Sequence, residues 1–201
     1  MPRKSFEKAE AIFRQHNGML RTGQAKKLGI AEPVLIRMTE AGALVREARG
    51  LYRLADLPPL SNPDLIQVAV RVPNSVICLI SALDFHNLST QIPYQVYIAI
   101  PRTTKAPRID YPPLAIFYLS EVPYTTGIEV HTLDGIPVRI YSREKTLADC
   151  FKFRKKIGLD IALEALKDYL RQPNQNLGEL LRCARVNRVA NVMQPYLRAA
   201  L

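Results

Sequence analysis

Along residues 22–54 the apolar positions first keep helical spacing and then give way to two strand-like runs. Ala25 and Leu28 face inward from one side of a short helix, and Leu35 and Met38 repeat that spacing after Gly29 and Ile30. Thr22 is placed to cap a helix over Gly23–Leu28. Gly29 suits a left-handed turn, and Ile30 plugs the corner it makes. Pro33 sits where a first-turn proline opens the next helix. That helix carries Leu35 and Met38 on one side, with Val34 and Arg37 on the other, and Gly42 ends it. Leu44–Glu47 and Leu51–Leu54 then flank Ala48-Arg49-Gly50 as strand, turn and strand. Upstream, Phe6, Ala9, Ile12 and Phe13 stripe a helix over Ser5–Gln15, closed by Asn17-Gly18. The pattern predicts a winged helix-turn-helix: three helices and a basic hairpin. The outer face of its second motif helix suits a major groove, and the hairpin suits a flanking phosphate backbone.

Pro58-Pro59 and Ser61-Asn62-Pro63 read as a linker, which puts a domain boundary near residue 60. The expected domains are 1–58 and 61–201. The second opens with a helix over Asp64–Val70, followed by a buried helix over Val76–Asn87 capped by Asn74-Ser75. Strands are expected at Gln95–Pro101, Ala115–Leu119, Gly127–Leu133 and Ile136–Tyr141, the last two joined by the hairpin signal Asp134-Gly135. Helices follow over Glu144–Phe153, Leu159–Leu170, Leu177–Val186 and Asn191–Leu201. The class is α+β, a small sheet packed by helices.

Charge sharpens this picture. The chain of 201 residues has a formal net charge of +10, which favours an anionic partner such as nucleic acid. Residues 1–60 hold 11 Lys/Arg and 6 Asp/Glu, a denser surplus than the rest of the chain. Arg21, Thr22, Gln24, Lys26 and Lys27 precede or lie on the first motif helix, where side chains meet phosphates and set register. Arg37 is the candidate for a guanine edge, since its guanidinium bonds O6 and N7 together. Val34 is the candidate for a thymine methyl, and Glu32 and Glu40 belong at the helix ends. Arg46 and Arg49 on the hairpin suit backbone or minor-groove contacts.

A second basic run covers Arg139, Arg143, Lys145, Lys152, Arg154, Lys155 and Lys156, interleaved with Tyr141, Phe151 and Phe153. Two readings stand side by side. In one, Arg143, Lys145, Lys152, Arg154, Lys155 and Lys156 form a second surface for nucleic acid or a protein partner. In the other, a helix has a charged outer face and an aromatic inner face, with Asp149 paired to Lys145 or Lys152 at spacings of 4 and 3.

Nothing in the chain points to catalysis. Pro63-Asp64 opens a helix with no Glu-x-Lys strand after it, so the pattern of a magnesium nuclease is missing. His16, His86 and His131 are far apart in sequence, and His86 reads as a helix cap or packed core residue. No phosphate-cradling glycine loop or Gly-x-Ser-x-Gly elbow is present. Cys78, Cys150 and Cys183 are widely spaced, against a zinc site or a disulfide scaffold and in keeping with a reducing cytoplasm. No signal peptide or membrane-length apolar run is visible. No metal or cofactor is expected.

Two blocks of the second domain carry a family resemblance. One is Ile80-Ser-Ala-Leu-Asp-Phe-His-Asn-Leu-Ser-Thr-Gln-Ile-Pro; the other runs from Ile136-Pro-Val-Arg through Lys145-Thr-Leu-Ala-Asp to Leu166. With a winged helix ending in Arg49-Gly50-Leu51-Tyr52 ahead of them, the chain resembles the AbiEi family, antitoxins of type IV toxin–antitoxin systems that also act as transcriptional regulators. The resemblance implies an N-terminal domain that binds double-stranded operator DNA at an inverted repeat and represses its own operon. It implies a C-terminal domain that counters an AbiEii-like nucleotidyltransferase toxin, with or without touching it, and no enzymatic activity or membrane partner. Two other functions fit the residues: a transcription factor whose second domain senses a small ligand, and a nuclease whose site is cryptic.

Overall fold

A computed structural model of the chain describes residues 2–200 in their backbone and 5–199 in their side chains. By their contacts the residues form two units. One comprises residues up to Val70 together with Thr132–Pro137, and the other Arg71–His131 together with the chain from Val138 onward.

The first unit grows from an amphipathic helix, α1 (Pro2–Gln15), which buries Ala9 and Phe13. Asn17 and Gly18 both take left-handed backbone and stop it. A short strand, β1 (Met19–Arg21), follows, then α2 (Thr22–Lys27), α3 (Glu32–Glu40), and a hairpin of β2 (Leu44–Ala48) and β3 (Leu51–Leu54). The strands pair in the order β1-β3-β2. β1 lies antiparallel to β3 with Leu20 opposite Tyr52, and β2 lies antiparallel to β3 with Leu44 opposite Leu54. The core is the meeting of four inner faces: Phe13 from α1, Ala25 from α2, Leu35 and Met38 from α3, and Leu20, Leu44, Tyr52 and Leu54 from the sheet. Ile30 fills the corner between α2 and α3 at 4% exposure, whereas Leu28, expected to face inward, lies just past the end of α2 and is exposed. β1 was not expected. Three residues are too few to display a period, and the strand exists because β3 offers it a free edge. α4 (Pro63–Arg71) follows, its Ile66 N–H donating to the Asn62 carbonyl (3.1 Å).

The second unit is built on a mixed sheet in the order β6-β5-β4-β8-β7. In chain order it contains β4 (Val76–Ile77), α5 (Leu79–Phe85), β5 (Val96–Pro101), β6 (Leu114–Leu119), α6 (Glu121–Thr125), β7 (Ile128–Leu133) and β8 (Ile136–Tyr141). Five helices complete it: α7 (Arg143–Lys152), α8 (Arg154–Ile157), α9 (Leu159–Arg171), α10 (Leu177–Val186) and α11 (Ala190–Ala200). β4 runs antiparallel to β5 and parallel to β8, while β5 and β6 are parallel. One correction concerns Val76–Asn87, expected as a single helix. Val76 and Ile77 are instead the central strand, and the helix begins only after Cys78, where Leu79 takes φ +47°. An unbroken apolar run does not distinguish a buried strand from a buried helix. Asp134 and Gly135 have φ of +47° and +81°, the paired positive values of a tight hairpin turn, as their sequence announced. This turn lies with the first unit, where the Asp134 carboxylate accepts from the N–H and hydroxyl of Ser61 (both 2.9 Å). The chain is thus α+β. Among the described residues no helix is long and apolar enough to cross a membrane.

Candidate nucleic-acid interface

The first unit's basic side chains are positioned by how α2, α3 and the hairpin close on one another. Thr22 does not cap α2 but is its first residue. Arg21 occupies the cap position, and the Gln24 side-chain oxygen accepts the Arg21 N–H (3.0 Å). The Thr22 N–H instead donates to the carbonyl of Gly50 (2.9 Å), tying the hairpin tip to the start of α2. Gly50 takes φ +78°, a conformation glycine adopts without strain. Lys26 pairs with Glu32 at the start of α3 (2.8 Å), and that ion pair holds the Glu32 carboxyl below its ordinary pKa. Lys27 and Gln24 are exposed, while Arg21 and Thr22 are half-buried.

On α3 the outward residues are Glu32, Pro33, Ile36, Arg37 and Glu40. Arg37 lies along the helix, its Nε donating to the Pro33 carbonyl (3.3 Å). Val34, read from the sequence as facing outward, is half-buried and packs against the core. At about 100° per residue Val34 lies only about 40° from Met38, at the flank of the buried stripe. Ile36 is the apolar residue that α3 does present, at 47% exposure. Its angular position, about 60° from Pro33 on the side away from Arg37 and so still on the outer face, was the available signal.

On the hairpin Arg46 and Arg49 are exposed. A bulge between Arg46 and Ala48 shifts the pairing so that Ala48 faces Leu51. Arg53 is different: it is 7% exposed, and its guanidinium is spent on Glu47 and on the carbonyls of Leu54 and Leu57. It is a brace for the hairpin base.

In the second unit the basic run divides. Lys145, expected on a surface with Arg143, Lys152, Arg154, Lys155 and Lys156, is fully buried. Its Nζ lies 2.6 Å from both Asp149 carboxylate oxygens and 4.1 Å from the Tyr141 ring centre. The reason is geometric: α7 is buried on nearly every side, so a cation on its inner face must find its counter-charge within the helix. Asn187 completes the cluster, donating from Nδ2 to Asp149 Oδ1 (2.8 Å). Gly127 leaves room for it, since a Cβ there would lie 2.6 Å from the Lys145 Cβ. Arg143 is half-buried and braces Gln172 and the Asn174 carbonyl (3.3 and 3.0 Å). Arg154, also half-buried, donates to the Phe151 carbonyl (2.7 Å). Lys152 is half-buried, and Lys155 and Lys156 are exposed.

The remaining chemical groups are mostly withdrawn from solvent. Burial pushes the Cys78 and Cys150 thiols well above their ordinary pKa and Cys183 up to about 12, which disfavours the reactive thiolate. His86 and His131, distant in sequence, have ring centres 6.1 Å apart. Each has its own partner: His86 Nε2–H donates to the Tyr141 carbonyl (2.7 Å), and His131 Nε2 lies 2.9 Å from a Glu129 carboxylate oxygen. Among the described residues no group of three His, Cys, Asp or Glu is placed to hold a metal ion.

These arrangements can be set beside known proteins. The crystal structure of the RV2827C protein from Mycobacterium tuberculosis is similar in fold, with a TM-score of 0.52 at 12% identity, over 94% of this chain and 79% of that one. No curated protein matches the sequence. Residues 7–55 match a family described as transcriptional regulator, AbiEi antitoxin. That match spans most of α1 and all of β1, α2, α3 and the hairpin, and ends before the two sequence blocks of the second unit. Over residues 7–55, therefore, the chain is similar to the AbiEi antitoxin transcriptional regulators.

Proposed function

We propose that the first unit is a winged helix-turn-helix that binds operator DNA and represses its own operon, as part of a type IV antitoxin without enzymatic activity. The observation that carries this reading is the outer face of α3. It presents Arg37 and Ile36, fixed by the buried Leu35 and Met38 behind them and flanked by the hairpin arginines. Arg37 reads a guanine, and Ile36 takes over from Val34 the contact with a thymine methyl. Arg21, Thr22, Gln24, Lys26, Lys27, Arg46 and Arg49 hold phosphates or the minor groove. The family match over residues 7–55 supports the assignment.

The second unit, in this reading, counters a nucleotidyltransferase-type toxin. The support is the resemblance carried by its two sequence blocks. Without Lys145, the surface is formed by Lys155 and Lys156 with the partly exposed Arg143, Lys152 and Arg154. The test is a gel shift on the chain's own upstream region beside a co-expression toxicity assay. Arg49→Ala is expected to weaken the shift while leaving neutralisation intact. Lys155→Glu with Lys156→Glu is expected to impair neutralisation and spare the shift. Equal loss of both by either variant overturns the division of roles, and absence of any shift overturns the repressor.

A further inference from the structure

The second unit carries a cleft of about 720 Å³, a size typical of small-molecule sites. Four segments of chain converge on it. Arg102 follows β5, with its N–H bonded to the Leu119 carbonyl at the end of β6 (2.9 Å). Glu121 and Val122 open α6, Lys152 closes α7, and Asn187 and Arg188 turn the chain from α10 to α11. Arg102, Lys152 and Arg188 therefore line one cavity, and among the described residues none of the three is ion-paired to a carboxylate. Burial, and after it the charges of Lys145, Arg102 and Arg188, hold the Lys152 ammonium below its ordinary pKa against the pull of Asp149. Asn187, 4% exposed, also lines the cleft, and its Oδ1 lacks a hydrogen-bond partner.

The backbone at Arg188 is a separate observation. α10 ends with Val189 N–H donating to the Ala184 carbonyl (2.8 Å) and Arg188 N–H to the Arg185 carbonyl (3.0 Å), with Arg188 at φ +58°. Similar turns close α1, α2, α3 and α5, where the left-handed residue is Asn17, Gly29, Gly42 and Asn87. Those are the residue types that adopt this conformation at least cost. An arginine here is strained where glycine would not be, and such strain collects at functional sites.

We propose that this cleft binds a nucleotide, with Arg102, Lys152 and Arg188 on its phosphates, Glu121 accepting a sugar hydroxyl or base amine, and Val122 against the base. Glu121 distinguishes this ligand from inorganic phosphate, which has no sugar hydroxyl or base amine to donate to a carboxylate. The site stands independently of the DNA reading of the first unit.

The experiment is calorimetric titration of the full chain with ATP, inorganic pyrophosphate, adenosine and a random-sequence DNA duplex. ATP is expected to bind saturably at one site, pyrophosphate more weakly, and adenosine undetectably. Arg188→Gly is expected to lose ATP affinity by roughly tenfold or more, one charge-assisted contact, while its unfolding midpoint rises. Arg102→Ala is expected to lose a similar factor. No saturable binding of ATP or pyrophosphate overturns the proposal. So does an Arg188→Gly protein that binds ATP like the wild type. Duplex binding that falls in both variants, without saturable ATP binding, assigns the cleft to nucleic acid and also overturns it.

Discussion

Lys145 shows what burial does to a charge that a sequence can only count. An ammonium withdrawn from water is tolerable when a carboxylate grips it from both oxygens, as Asp149 does. Removing one partner strands the other. Lys145→Ala is therefore expected to destabilise the second unit by about 3–5 kcal/mol, read as a shifted urea midpoint. An unchanged midpoint would mean that water reaches Asp149. His86 makes a pH prediction. Burial holds its imidazole below the ordinary pKa, against the raising effects of the Tyr141 carbonyl and Glu129, while His131 and Arg143 add to the lowering. The unfolded chain thus takes up the proton first. Stability from this residue is complete above about pH 6.5 and is lost as pH falls through that value toward the folded pKa. His86→Gln, which can keep a donor for the Tyr141 carbonyl, is expected to flatten the fall in thermal midpoint between about pH 7 and 5.

Among the elements, α3 bears the sharpest prediction. Arg37→Ala is expected to cost about 1–3 kcal/mol on the operator and little on random DNA. Ile36→Ala is expected to lower operator preference with little change in salt dependence, whereas Val34→Ala acts through stability. Competition anisotropy and a thermal melt separate these effects, and a Val34→Ala protein of normal stability but altered sequence preference would reverse the assignment. Val34 and Ile36 also show why some of the site was legible and some was not. The buried face of α3 was visible in Leu35 and Met38, but which flank turns toward solvent depends on what packs beside it. The same holds for strands. β5, β8 and the Asp134-Gly135 turn have the length or turn chemistry to announce themselves. β1, the two residues of β4 and the five of α6 are too short to carry a period, and their conformation is imposed by neighbours. Of the basic run, composition fixed the charge, but the split between buried Lys145 and exposed Lys155 and Lys156 belongs to tertiary packing.

For the whole molecule, the uneven charge sets the dependence on salt. Two copies on an inverted repeat would neutralise about 8–12 phosphates, so operator affinity is expected to fall roughly a thousandfold or more between about 50 and 200 mM salt. A flat response in anisotropy titrations would remove DNA as the partner of the first unit. The chain also doubles back on itself: residues 132–137 belong with residues up to 70, and Asp134 holds Ser61 from the far side of a long excursion. Translation delivers these pieces in order, at about 5–20 residues per second. The first unit therefore waits several seconds for its last piece, which is made only after β4 to β6 and the start of β7. A polypeptide truncated early in that interval has α3 and the hairpin but lacks Asp134, so the first unit has its full set of contacts only when about half of the second unit has been synthesised.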